Sequence, residues 1–122
     1  MENTQPEYMR EYELFVSNYK LTEVAPEEVG LLTIRMASHY GKYNLKFRDA
    51  LRNYSIILRD LQNQSDPTTG KPMSSVKAET LADATPEAAK YEEFKIDLQN
   101  LEQYINGLKS LQRSLMQEFG NS

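Results

Sequence analysis

An all-α fold is what this sequence predicts: a long, coiled-coil-like antiparallel helical hairpin, with a short helix before it and another in its connection. Three features carry that expectation. Residues 26–64 contain no proline after Pro26 and only two glycines, Gly30 and Gly41. Residues 86–119 hold Tyr91, Leu98, Ile105 and Phe119 in one seven-residue register, interrupted at Gln112, and Phe94, Leu101, Leu108 and Leu115 in the other. That is a seam of about four heptads. Between the two runs, Ser65-Asp66-Pro67-Thr68-Thr69-Gly70-Lys71-Pro72 is a dense cluster of turn formers, which forces the chain to reverse.

The elements follow in order. Residues 1–25 read as an N-terminal helix and connector: Pro6 and Glu7 suit a first helical turn, and Tyr8, Tyr12, Phe15 and Tyr19 recur at helical steps. Those aromatics are expected to dock on the hairpin or on a neighbouring subunit. The acids Glu7, Glu11 and Glu13 beside them argue against a base-stacking role, because they repel phosphate. Residues 26–64 open with Pro26, Glu27 and Glu28 and carry Tyr40, Phe47, Leu51, Tyr54, Leu58 and Leu61 on one stripe. At 1.5 Å per residue this helix spans about 58 Å, too long to be wrapped on all sides by its own chain. Residues 65–85 are a loop with a short helix from Val76 to about Ala82, capped by Ser74 or Ser75. Thr85 then caps the last long helix, residues 86–119, with Pro86 and Glu87 in its first turn.

The chain is one domain of 122 residues without cysteine and with a single histidine, His39. That excludes a disulfide framework, a thiolate or multi-histidine metal centre and a cysteine nucleophile. No nucleotide-binding glycine loop is present, and Gly70-Lys71 lacks the rest of a phosphate loop. The reading is a non-enzyme with no cofactor and no metal. Nor is there an apolar run long enough for a membrane span, or a signal-peptide pattern at the N-terminus. The expected location is the cytoplasm, that of a host cell if the protein is phage-encoded.

Charge is distributed unevenly. The net charge is −4, yet residues 31–64 hold six basic side chains (Arg35, Lys42, Lys46, Arg48, Arg52, Arg59) against two acids. The central helix is the basic element of an acidic protein. On a helical projection Arg35, Lys42 and Lys46 form one basic stripe and Arg48, Arg52 and Arg59 a second, flanking the apolar seam on either side. They can pair with acids of the last helix, such as Glu93, Asp97 and Glu102, and set the hairpin register. Alternatively, copies arranged in a ring or bundle align the stripes into a sequence-indifferent surface for a phosphate backbone. The seams themselves, Tyr40, Phe47, Leu51, Tyr54 and Leu58 on one helix and Phe94, Leu98, Leu101, Ile105, Leu108 and Leu115 on the other, need more cover than one hairpin supplies, so a homo-oligomer is expected.

The layout of residues 30–120 resembles the UvsY-type recombination mediators of bacteriophages and the small helical proteins of phage recombination modules. The shared pattern is a long helix with scattered tyrosines and basic residues (Tyr40, Lys42, Tyr43, Lys46, Arg48, Arg52, Tyr54, Arg59), a Gly70-Lys71 loop and a Ser/Thr-capped short helix from Ser74 to Leu81. An Ala82-Asp83 break and a final helix with Arg113 and Leu115 near its end complete it. The resemblance implies an oligomer that binds single-stranded DNA through Lys42, Lys46, Arg48, Arg52 and Arg59. It also implies help for a recombinase in replacing single-strand-binding protein. The rival expectation is a non-catalytic phage structural, assembly or adaptor protein working through helix–helix contacts; a second is an enzyme subunit completed by a partner chain.

Overall fold

A computed structural model describes residues 5–19 and 23–120. It contains four helices: α1 (Glu7–Tyr19), α2 (Pro26–Gln62), α3 (Ser75–Asp83) and α4 (Pro86–Gly120). No strand occurs among the described residues, where extended pairing is confined to one isolated bridge between Ser65 and Pro72. The chain divides into two compact units, residues 1–42 with 99–122 and residues 43–98. Each unit contains part of α2 packed antiparallel against part of α4.

In the first unit the core is aliphatic. Val29, Leu32 and Met36 of α2, at steps of three and four, and Leu101, Leu108 and Leu115 of α4, at steps of seven, are buried, each set on one helical face. α1 docks in the same unit. Tyr8 is 0% exposed, its hydroxyl accepts from Asn100 at 3.4 Å, and its ring lies 6.0 Å from that of Tyr104. Tyr12 stacks on Tyr104 at 3.9 Å between centroids. His39 Nε2 meets Glu11 Oε2 at 3.0 Å. The expectation that the first helix docks on the hairpin is met within this unit for Tyr8 and Tyr12; Tyr19 remains largely exposed.

Gln112, which interrupts the heptad register, has a partner here. Its Nε2 donates to the Pro26 carbonyl at 3.2 Å, and it fits because residue 30 is glycine: a Cβ there would come within 2.7 Å of that nitrogen. A polar side chain occupies an otherwise apolar position because a carbonyl in the first turn of α2 accepts from it.

The second unit is built differently. Its buried apolar residues are mostly alanines, Ala50, Ala78, Ala82 and Ala88, with Met73 and Leu98. Bulk comes from a half-buried aromatic ladder. Tyr91 of α4 lies 5.4 Å from the ring of Phe47 and 5.5 Å from that of Tyr54, one helical step up and one down on α2, while Tyr43 meets Phe94 edge-on at 6.2 Å. This corrects the seam. Leu51 does not belong to it and is 37% exposed, whereas Ala50 is buried at 6%. Ala50 lines a cleft of about 170 Å³ with Asn53 and with Pro86, Glu87 and Lys90 of the start of α4. Tyr40, Phe47, Tyr54 and Leu58 are half-buried seam residues, as are Phe94 and Ile105, and Leu98, Leu101, Leu108 and Leu115 are buried.

The connection is tightly built. Asp66 accepts from the Thr68 amide at 2.8 Å and from Lys77 Nζ of α3 at 2.7 Å. The Gly70 amide returns to the Asp66 carbonyl at 2.8 Å, and Gly70 takes a φ of +71°, a region that glycine enters without strain. Ser74 caps α3 by accepting from the Lys77 amide, and Thr85 caps α4 by accepting from the Ala88 amide.

Leu101 is fully buried, so Leu101→Ala is expected to lower unfolding free energy by about 2–5 kcal/mol in urea titrations. In contrast, Gly30→Ala gains about 1 kcal/mol of helix propensity and displaces Gln112, losing a hydrogen bond of about 1 kcal/mol. Its urea midpoint should stay near that of the parent chain. The hydrogen bond from Lys77 to Asp66, then that from the Thr68 amide, holds the Asp66 carboxyl below its ordinary value. Because the folded-state value is depressed, this contribution is present above the ordinary carboxylate range and disappears as pH falls through the lowered value. Asp66→Asn should therefore flatten the acid limb of the stability profile measured by circular dichroism.

Candidate nucleic-acid interface

The basic residues singled out in the sequence are all exposed, but the structure sorts them. Lys42 lies in the first unit. In the second, Arg48, Arg52 and Arg59 fall with Leu45 and Ile56 on one stripe of α2, at steps of three, four, four and three. Projection places the five within an arc of about 80°, on the opposite side of the helix from Phe47, Ala50 and Tyr54. Lys46 is elsewhere: its Nζ lies 5.0 Å from the Tyr43 ring centroid and 6.0 Å from that of Phe94. It closes the edge of the aromatic ladder by cation–π attraction and is not part of the arginine stripe.

The anticipated pairing of these arginines with acids of the last helix takes a different form. Arg52 Nη1 reaches Asp49 Oδ1 on its own helix at 3.7 Å, with both side chains 72% exposed; such a pair is worth little in water. Arg48 and Arg59 make no ion pair among the described residues. Glu102, in the first unit, accepts instead from the Tyr40 hydroxyl at 3.1 Å. That bond, and secondarily burial, raises the Tyr40 pKa.

The flank of the second unit away from the arginines is acidic. Tyr54, Asp83, Ala88, Ala89, Tyr91 and Glu92 line a cleft of about 420 Å³. The Tyr54 hydroxyl donates to Asp83 Oδ1 at 2.6 Å. This bond above all, then burial and the neighbouring negative charges, pushes Tyr54 up to about 12. Carboxylates at this cleft make it unfavourable for phosphate. Periodicity gives no sign of the Tyr54–Asp83 contact, which joins helices separated by the loop. The Tyr8–Tyr104–His39 cluster was equally hidden, although the Tyr8/Tyr12 spacing marked the α1 face that forms it.

Among the described residues there is no cluster of three or more potential metal ligands, and no helix is long and apolar enough to cross a membrane. No protein-family model, curated protein or solved structure matches this chain.

Tyr54 should be the last tyrosine of its unit to ionise in a spectrophotometric titration, near pH 12 against an ordinary value near 10. The raised folded-state value means that the Tyr54–Asp83 bond contributes in full below pH 10 and is lost as pH climbs from about 10 to 12. Asp83→Asn should bring that titration back toward the ordinary tyrosine range.

Proposed function

We propose that this protein is a non-catalytic accessory factor of phage-type DNA recombination. In this reading it self-associates and binds single-stranded DNA without sequence preference through Arg48, Arg52 and Arg59, with Lys42 and Lys46 contributing at the margins. It assists loading of a recombinase against single-strand-binding protein. Binding energy does the work: holding the strand in a fixed conformation lets the next protein assemble on it, and no covalent bond changes.

The observation that carries this reading is the arginine stripe. Three guanidinium groups stand exposed on one helical face, and two of them have no acidic partner among the described residues. Guanidinium groups aligned on one helical face suit a phosphate backbone. One chain offers few contacts, so useful affinity needs several chains on one strand, which supplies it by avidity. A second reading, a structural or adaptor protein acting through helix–helix contacts, is favoured by the exposed aliphatics Leu45, Ile56 and Ile96 of the same unit.

Fluorescence anisotropy with labelled oligo-dT separates the two. Binding is expected at about 50 mM salt, weakening as salt rises. The double reversal Arg48→Glu with Arg59→Glu should abolish it while helicity is retained, and neutralising the same pair to glutamine should make the log–log salt slope shallower by about 1.4 per chain. No binding at low salt, or binding indifferent to Arg48 and Arg59, rejects the DNA reading and leaves the adaptor.

A further inference from the structure

The outward face of α2 in the second unit carries a pattern beyond its positive charge. Leu45, Asp49, Arg52 and Ile56 follow one another at four, three and four residues. Helical geometry puts them within an arc of about 60°. All four are exposed: Leu45 at 63%, Ile56 at 45%, and the side chains of Asp49 and Arg52 at 72% each. Read in either direction the order is aliphatic, charged, charged, aliphatic, with opposite signs in the middle.

A stripe of this kind is complementary to itself. When two copies of α2 lie antiparallel about a two-fold axis centred between Ala50 and Leu51, Leu45 of each faces Ile56 of the other. Asp49 then faces Arg52, and Arg52 faces Asp49. A shift of one turn in either direction opposes like charges or sets an aliphatic against a charge. A two-fold contact requires the same patch on both copies to match itself, and this patch does so in both hydrophobicity and sign.

We propose that this face of α2 is a homotypic docking site whose occupant is a second copy of the same chain. The contact gives a specific form to the self-association in the functional reading above and rests on it only to that extent. The weak Asp49–Arg52 pair within one helix is exchanged for two reciprocal pairs between helices, shielded by Leu45 and Ile56 at either end. The stripe spans 12 residues, about 16 Å of helix, too short to bury the ~1,600 Å² of a standard complex. The dimer is therefore weak and dependent on concentration.

The geometry also bears on the arginines. Arg48 and Arg59 lie to one side of the stripe, about 60° around the helix from its centre. A two-fold axis in the plane of the contact keeps that side on the same edge for both copies. Pairing thus sets the Arg48 and Arg59 residues of two chains along one basic edge, whereas Arg52 is used in the contact.

Sedimentation velocity without DNA, over roughly 10 µM to 1 mM chain, tests the proposal in the affinity range expected for a small interface. The parent chain should pass from monomer toward dimer. Asp49→Arg alone and Arg52→Asp alone should each move the midpoint at least about tenfold higher, with helicity unchanged because both sites are exposed. An equimolar mixture of the two variants should regain association, since each then meets opposite charges across the contact. The double reversal Asp49→Arg with Arg52→Asp should associate like the parent. Parent chain that stays monomeric throughout, single variants that associate as the parent does, or a mixture that shows no recovery overturns the contact. Oligo-dT binding is read separately and on the parent chain alone, because Arg52 also belongs to the proposed DNA stripe: association without binding sinks the DNA reading alone, and binding without association sinks this contact alone.

Discussion

Two helices share a seam only where bulk on one meets a gap on the other, and both units of this protein depend on that condition. In the second unit Tyr91 sits between Phe47 and Tyr54, and the residue between those two that turns inward is Ala50. In the first, Gln112 reaches the Pro26 carbonyl because residue 30 has no side chain. Interiors are close-packed, so an extra methylene at such a point is felt. The rotation of α2 within each unit decides which of its residues are left on the outside.

What is left outside is consistent with the functional reading. Once Ala50, and not Leu51, faces inward, the arginines Arg48, Arg52 and Arg59 group with Leu45 and Ile56 on the opposite side of the helix. Asp49 stays on this face, paired weakly with Arg52, but other acids of the unit act elsewhere: Asp83 accepts from Tyr54, Asp66 from Lys77 and the Thr68 amide, and Asp97 is buried. The unit is close to neutral in total, with eight basic and nine acidic side chains. Sorting of charge by face, more than its sum, produces a basic surface on an acidic protein.

The first unit shows how a third helix completes a two-helix seam. α1 contributes Tyr8 and Tyr12, whose rings supply much apolar area at the cost of two side-chain torsions each. The Tyr8 hydroxyl accepts from Asn100, and the Tyr12 hydroxyl lies beside Gly107. The exposed Leu31 and Ile34 of the same unit lie away from this site, on the part of α2 that neither α1 nor α4 covers.

The sequence by itself determined the four helices and nearly all their boundaries, because proline, acidic first turns, Ser and Thr caps and heptad spacing are local signals read from neighbouring residues. It also singled out the basic residues and the α4 seam. Only the tertiary structure decided that Ala50 replaces Leu51 in the second unit, that Val29, Leu32 and Met36 are the buried face of α2 in the first, and that Lys46 leaves the basic stripe for an aromatic edge. Hydrophobic periodicity ranks residues by how apolar they are, so it favours a leucine over an alanine one position away. Which of the two is buried depends on the part of α4 that packs against it, some forty residues further along the chain.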